Sequence, residues 1–136
     1  MQNSISNPRN FEEFDKSNMI KFAIGFSATA TKSASTNIDY ALTDDLMMAG
    51  GHSVLVKDAA WGDTLTLQIL SPLGAVLFEV WKNWPINPQE YKQVLPIAHY
   101  SPKLVAGLTI RSIYNSVGAA NDVSIMGGYN FEKLIV

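Results

Sequence analysis

The stretch IKFAIGFSATAT, residues 20–31, decides the fold of this chain, because hydrophobic residues alternate with small or polar ones along its whole length. The alternating hydrophobic positions are Ile20, Phe22, Ile24, Phe26, Ala28 and Ala30. A period of two residues places every second side chain on one face, which is typical of a β-strand with one buried face. Because this long run has no proline to block its edge, we expect it to be paired, either within its sheet or with another chain.

Further runs of the same kind follow along the chain, and turn-forming residues separate them. They lie at about residues 38–42, 54–56, 65–69, 76–80, 91–97, 108–110, 123–126 and 131–136. Turn signals include Gly62-Asp63, the proline-containing segment 85–88, and Gly127-Gly128. No segment has the pattern of a long amphipathic helix. The sequence predicts an all-β fold, an antiparallel β-sandwich of about eight strands that resembles a jelly roll, over residues 19–136.

Residues 1–18 differ from the rest, since they are rich in Asn and Ser and have no sustained periodicity. They are predicted to form an extended N-terminal arm. Asn7 could cap a short helix that begins at Pro8, which would place Phe11 and Phe14 on one face. The alternative is a disordered tail, the usual state of a chain end that nothing holds.

The composition limits the possible partners. The chain has 136 residues, enough for one domain, with 16% charged and 47% hydrophobic residues. The charged fraction is below the roughly 25% usual for soluble proteins, so we expect part of the surface to be covered by a partner. A net charge of −2 without a run of Lys or Arg argues against nucleic acid, and no segment reaches the length of a membrane span. The absence of cysteine excludes disulfides and thiolate metal sites.

The stretch GHSVLVKDAAWGDTLTLQIL, residues 51–70, has a charged cluster in its middle. Lys57, Asp58 and Asp63 surround Trp61 there, and they could form either a working site or the turn of a β-hairpin. Gly62-Asp63 supplies turn chemistry between two apolar runs, which explains these residues without a reaction. We therefore predict a hairpin, with Trp61 as a partly buried lid on the edge of the sandwich.

Neither a metal site nor a catalytic centre is predicted. Asp44, Asp45, Asp58 and Asp63 could bind calcium together, yet they lack the spacing of a calcium loop. His52 and His99, the two histidines, do not show a metal-binding spacing, and no nucleophile-elbow motif accompanies them. We expect a protein that is not an enzyme and has no catalytic residue, metal or cofactor.

Aromatic side chains are concentrated in WKNWPINPQEY, residues 81–91, the longest segment that reads as a loop. Trp81, Trp84 and Tyr91 could pack in the core or at its rim, contact another protein, or stack on a sugar. All three interpretations remain open. Together with Phe11 and Phe14 of the arm, these three aromatics form the candidate interface set.

Three segments resemble a group of small virion structural proteins of tailed bacteriophages. They are HSVLVKDAAWGDTLTLQILSP at 52–72, FEVWKNWPINPQEYKQVLP at 78–96 and AGLTIRSIYNSVGAANDVSIMGGYNFEKL at 106–134. In that group an A-x-x-G-D turn precedes an alternating strand that ends in Gln and a β-branched residue, here Gln68-Ile69. An Ala-Gly-Leu step into a strand follows later, here Ala106 to Leu108. The group tends to show Asn-Tyr in its closing strands, where this chain has Gly-Tyr-Asn at 128–130.

The resemblance implies a non-enzymatic structural component of a bacteriophage virion, of the capsid-associated type found in decoration, vertex or fibre-base positions. Its expected partners are other virion proteins, such as capsid or connector subunits, and further copies of itself in a homo-oligomer. The expected location is the virion, after synthesis in the host cytoplasm. The alternative is a carbohydrate- or receptor-binding β-sandwich module of a tail or fibre.

Overall fold

The computed structural model describes residues 19–48, 52–89, 92–95, 103–118 and 120–134, and these form two antiparallel β-sheets. The ten strands are β1 (Met19–Ala30), β2 (Ser35–Ala41), β3 (Leu46–Met48), β4 (His52–Lys57), β5 (Thr64–Leu70), β6 (Val76–Pro85), β7 (Lys92–Leu95), β8 (Lys103–Leu104), β9 (Thr109–Asn115) and β10 (Val123–Leu134). No helix occurs in this described part of the chain. Consistent with this, none of it forms a helix long and apolar enough to span a membrane. The predicted N-terminal arm, residues 1–18, lies outside the described residues.

The strands are paired as in a jelly roll, so that the first pairs with the last and the others nest inside. β1 pairs with β10 over its whole length, β2 pairs with β9, and β5 pairs with β6. β3 and β4 both pair with β10, and they pair in turn with β8 and β7, respectively. β3 and β4 therefore take the place of one interrupted strand, and β7 and β8 take the place of another. Sheet A therefore contains β1, β10, β3, β4, β7 and β8, and sheet B has the order β2-β9-β5-β6. The predicted β-sandwich of jelly-roll type is confirmed.

The core lies between the two sheets and is built by the alternation seen in the sequence. On β10 every second position from Val123 is turned inward, and on β9 Ile110 and Tyr114 are fully buried. The largest fully buried side chains are Tyr114, Tyr129, Phe131, Met48, Leu65, Leu67, Ile69, Leu70, Leu104, Ile110 and Ile125. At about 25 cal/mol per Å² of buried apolar area, this interior is the main source of stability.

The first strand confirms the expectation with which the sequence began. Its residues pair with β10 in an unbroken register from Met19 opposite Leu134 to Ala30 opposite Val123. Ile24, Phe26 and Ala28 are partly buried on the inner face, while the intervening residues are exposed. The long strand is thus paired within its own sheet.

The predicted hairpin at residues 51–70 is wrong. Its two strands, β4 and β5, lie in different sheets, so the segment between them crosses from sheet A to sheet B. Residues 58–63 make this crossing with a positive φ at Asp58 (69°) and at Gly62 (96°). Trp61 is 67% exposed and does not act as a lid. Turn residues are needed at a crossover as much as at a hairpin, which is why the local sequence did not separate the two.

Two predictions of irregular structure are also wrong. Gly127-Gly128 is part of the continuous strand β10, where the two residues pair with β1 on one side and β4 on the other. Residues 81–85 belong to β6 and are not a loop. The register between β5 and β6 shifts there, so that Trp81 and Trp84 are paired with Leu67 and Leu65. The register between β5 and β6 shifts at three places in all, and these bulges or irregularities interrupt the alternation by which strands are recognised.

A buried hydroxyl pair makes stability sensitive to alkali. The Tyr129 hydroxyl and the Ser112 hydroxyl are 2.8 Å apart between the sheets. Burial raises the pKa of Tyr129 to about 12 from its ordinary 10.0, with Ser112 opposing and Asp39 adding to the shift. The unfolded chain therefore loses this proton first, and stability that is complete below pH 10 decreases as the pH rises through 12.

We expect the free energy of unfolding to fall by about 2 kcal/mol between pH 9 and pH 12 through Tyr129 alone. Urea titrations at a series of pH values measure this slope. Tyr129→Phe should flatten it, although Tyr114, whose pKa is also raised by burial and by Asp63, keeps part of it. A slope that is unchanged in Tyr129→Phe would show that this hydroxyl does not carry the effect.

Candidate functional site

The outer face of sheet B carries charge. One row of residues crosses all four strands of sheet B: Asp39 on β2 is opposite Arg111 on β9, Arg111 is opposite Gln68 on β5, and Gln68 is opposite Glu79 on β6. Arg111 donates two hydrogen bonds of 2.8 Å to the Asp39 carboxylate, and Gln68 Nε2 donates to Glu79 Oε2 over 2.9 Å. The hydrogen bond to Asp39 raises the pKa of Arg111. This row of polar side chains is typical of a face in contact with water.

The outer face of sheet A differs, because two neighbouring rows across β1, β10 and β4 contain no charged residue. Three rows of register-matched residues cross β1, β10 and β4 there. From one row to the next they are Gly25, Gly128 and Ser53; then Ser27, Met126 and Leu55; then Thr29, Ser124 and Lys57. Lys57, in the third row, is charged, and on the edge strand β7 the register continues the second row from Leu55 to Lys92. We call the first two rows the uncharged face.

A depression of about 420 Å³ opens in the uncharged face. Its lining residues are Gly25, Phe26, Ser27, Ser53, Leu55, Met126, Gly127 and Gly128. It is shallow and open because three of these are glycines, which have no side chain to fill the surface. Met126 at its rim is 53% exposed, which is unusual for an apolar side chain in the middle of a sheet.

Gly127 has a packing role on the inner side of the same strand. A Cβ at this position would lie 2.4 Å from Phe26 Cζ and 3.0 Å from the Ser53 carbonyl oxygen. The Phe26 ring occupies that space and is stacked on Tyr129, with ring centroids 5.2 Å apart. The glycine at 127 therefore lets an aromatic ring cross over the strand, and the one at 128 leaves the outer surface open.

Asp63, one of the charged residues predicted in the turn, is buried and holds three segments together. Its Oδ2 accepts hydrogen bonds from the Tyr114 hydroxyl at 2.7 Å and the Ala60 amide at 3.1 Å, and its Oδ1 accepts one from the Val117 amide at 3.0 Å. Its own backbone carbonyl accepts from Ile86. Both oxygens of this carboxylate accept hydrogen bonds from donors within the fold, so Asp63 has a structural role. This agrees with the prediction that the cluster is structural, although the structure formed is a crossover between the sheets and not a hairpin.

Two other carboxylates of the hypothetical calcium set, those of Asp44 and Asp45, have partners of their own. Asp45 accepts a hydrogen bond of 2.8 Å from the Ala106 amide, and Asp44 forms an exposed ion pair of 3.1 Å with Lys133. Among the described residues, no group of three His, Cys, Asp or Glu side chains is placed to hold a metal ion. The backbone of His52 is paired with Leu95 at the start of β4, and His99 lies outside the described residues.

Two of the five candidate interface aromatics are described. Trp81 is buried, at 9% exposure, and its ring centroid is 6.3 Å from that of Trp84, which is 37% exposed. The core interpretation therefore applies to Trp81, while Trp84 has surface left for a contact. Phe11, Phe14 and Tyr91 lie outside the described residues, so their interface role stays a prediction.

The uncharged face itself was not recognised in the sequence. Gly25, Gly127 and Gly128 signal it only once β1, β10 and β4 are known to be neighbours, because they are far apart in the chain. The deficit of charged residues predicts a covered surface without showing where it lies, and that cover stays a prediction.

No family model matches this chain, and no curated protein matches it either. Among solved structures it is similar to a serine protease of Aeromonas sobria, at 8% identity and a TM-score of 0.44, over 84% of this chain and 27% of that one. It is also similar to infectious bursal disease virus, Gx strain (12% identity, TM-score 0.31, 85% and 40% of the two chains). A third similarity is to the VP2 subviral particle of that virus, at 15% identity and a TM-score of 0.29, over 86% of this chain and 41% of that one.

The chain thus spans between about a quarter and two fifths of the length of these structures. At such identities and TM-scores the similarities assign no activity, ligand or partner to it. The jelly roll itself is used by viral capsid proteins, lectins and enzymes alike, so the fold does not choose among them.

Proposed function

We propose that this chain is a non-enzymatic structural component of a bacteriophage virion, of the capsid-associated decoration, vertex or fibre-base type. It binds neighbouring subunits through its N-terminal arm and the outer surface of sheet A. Its partners are capsid or connector subunits and further copies of itself, and it resides in the virion after synthesis in the host cytoplasm. The proposal combines the resemblance of three sequence segments with the contrast between the two outer faces.

The observation that carries the proposal is the uncharged face. Protein interfaces are depleted of charge at their centre, and exposed methionine is enriched there. Sheet B of the same chain carries an ion pair and a second polar pair on its outer face, so the lack of charge in these two rows of sheet A is a local property. A rigid sandwich with a polar outer face on sheet B and the uncharged face on sheet A is suited to bind a capsid shell through sheet A.

The non-enzymatic part of the proposal is supported by how the buried polar groups are used. Asp63, Tyr114, Ser112 and Tyr129 are bonded to one another or to backbone amides inside the sandwich. None of these bonds opens onto the depression in the uncharged face. These four buried polar groups are thus engaged in holding the sheets together.

Particle incorporation tests the proposal. The chain, with and without residues 1–17, is mixed with particles or shells assembled from candidate phage capsid proteins, and co-sedimentation is measured. We expect the full chain to sediment with the particle and the truncated chain, still folded by circular dichroism, to remain in the supernatant. A full chain that binds no particle component at any concentration tested would contradict the proposal.

A carbohydrate-binding module is the alternative, and it is less favoured. The platform predicted from Trp81, Trp84 and Tyr91 lacks one of its rings, because Trp81 is buried and Trp84 is 37% exposed. A glycan array with the wild-type chain and Trp84→Ala separates the two functions. Glycan binding that is lost in Trp84→Ala, together with unchanged particle binding, would favour the module.

A further inference from the structure

We propose that the depression in the uncharged face is the receptor site for the arm of a second copy of this chain, and that Phe11 and Phe14 of that arm fill it. This inference rests on the proposed function, in which the arm binds a neighbouring subunit, and it names the surface that receives it. Three observations support it: the chemistry of the depression, the charges around it, and the distance from the arm of the same chain.

The chemistry of the depression matches aromatic side chains. Its floor consists of glycine backbone, and its rims are Met126, Leu55 and two serines. Methionine makes favourable sulfur contacts with aromatic rings, and flat rings pack well against glycine backbone.

The charges also correspond. In the arm, Glu12 and Glu13 separate the two phenylalanines, and Asp15 and Lys16 follow, so this segment has three acidic residues and one basic residue. Lys57 is exposed on the same outer face, in the row directly beyond Met126 and Leu55. An arm seated in the depression would bring acidic side chains toward this lysine, which adds a modest attraction that salt weakens.

The distances favour a second copy over the arm of the same chain. Gly25 and Ser27 lie about 20 Å and 26 Å from Met19 along β1, at a rise of about 3.3 Å per residue. Phe14 precedes Met19 by five residues, so a fully extended chain would carry its Cα at most about 18 Å from that of Met19. The chain would also have to reverse its direction first, because β1 runs from Met19 toward the depression. The two phenylalanines of one arm therefore cannot both reach the depression of their own chain.

Disulfide trapping tests this directly, because the chain contains no cysteine of its own. Phe14→Cys and Met126→Cys are made in two separate full-length chains of different tag size, mixed, and oxidised mildly. We expect a disulfide-linked heterodimer on a non-reducing gel, since only Cα atoms within about 7 Å can be bridged. Leu73→Cys replaces Met126→Cys as the matched control, because Leu73 is an apolar residue with 97% exposure, lies on the turn between β5 and β6, and should not cross-link.

Light scattering with point variants provides the second measurement. Met126→Lys places a charge in the depression at an exposed position, so the fold should persist. We expect it, and the double variant Phe11→Ala with Phe14→Ala, to raise the dissociation constant of the oligomer at least tenfold. Leu73→Lys should leave the mass of the oligomer unchanged.

The outcomes separate this inference from the proposed function. In one outcome, truncation of residues 1–17 dissociates the oligomer, Met126→Lys does not, and no heterodimer is trapped. The arm then binds elsewhere, so the inference is wrong while the proposed function stands. If Phe14→Cys and Met126→Cys cross-link only when both are in one chain, the arm covers its own depression, which also overturns the inference. A full-length chain that is monomeric at every concentration overturns it as well, and co-sedimentation with particles then decides the function independently.

Discussion

Replacement of Asp63 by alanine should lower the free energy of unfolding by about 3–5 kcal/mol, the largest effect we expect from any single polar substitution in the described chain. The variant leaves the Tyr114 hydroxyl and the amides of Ala60 and Val117 without their acceptor. Each buried donor left unsatisfied costs about 1–3 kcal/mol. Urea denaturation followed by tryptophan fluorescence measures the loss.

Tyr114→Phe is the matched control, since it removes one of the three hydrogen bonds and keeps the carboxylate with its two amides. We expect it to cost about 1 kcal/mol, clearly less than Asp63→Ala. Asp63→Asn should fall between the two, because its amide group would meet a donor at one of the two oxygen positions. Equal losses in Tyr114→Phe and Asp63→Ala would mean that the two backbone amides find other acceptors, and that Asp63 does not hold the crossover.

Gly127→Val is the second variant with a large expected effect, a loss of about 3 kcal/mol in the free energy of unfolding. Its side chain would enter the space occupied by the Phe26 ring, from which even a Cβ is separated by only 2.4 Å. That ring cannot move away cheaply, because it is stacked on the buried Tyr129. The Ser53 carbonyl, at 3.0 Å, blocks the other direction. Thermal unfolding by circular dichroism measures the change.

The neighbouring Gly128→Ala is the control for Gly127→Val. Its nearest neighbour would be the Ile24 carbonyl oxygen at 3.7 Å, an ordinary van der Waals distance. Alanine also loses less backbone freedom than glycine on folding, so we expect stability to be unchanged or higher by up to about 1 kcal/mol. If Gly127→Val were as stable as Gly128→Ala, the crossing of Phe26 over β10 would not be a constraint on this position.

The sequence predicted the strands whose alternation is driven by a single buried face. β1 is the best example, since its inner residues meet the core and its outer residues meet water or a partner. β3 and β8 were missed because three and two residues are too short to show a period. β6 was cut short for another reason, because a bulge shifts its register near Trp81 and hides the alternation.

The errors at residues 58–63 and 127–128 share a physical cause. Glycine and aspartate favour turns locally, but here each is required by a contact with a residue distant in the sequence. Asp63 is fixed by Tyr114 and Val117, and Gly127 by Phe26. Local propensity contains no information about such partners. The same holds for the uncharged face, which exists only because strands from three parts of the chain are neighbours.

The pairing of β1 with β10 has a consequence for how the protein is made. The first described strand finds its partner in the last one, so it cannot be completed until nearly the whole chain has left the ribosome. At about 5–20 residues per second, β1 waits on the order of 5–20 s without its hydrogen-bonding partner. During that time its alternating segment, in which Lys21 is the only charged residue, is a template for pairing with other nascent chains, and such distant contacts also make folding slow. We therefore expect the yield of folded protein to depend on expression temperature and on chaperones more strongly than its final stability would suggest.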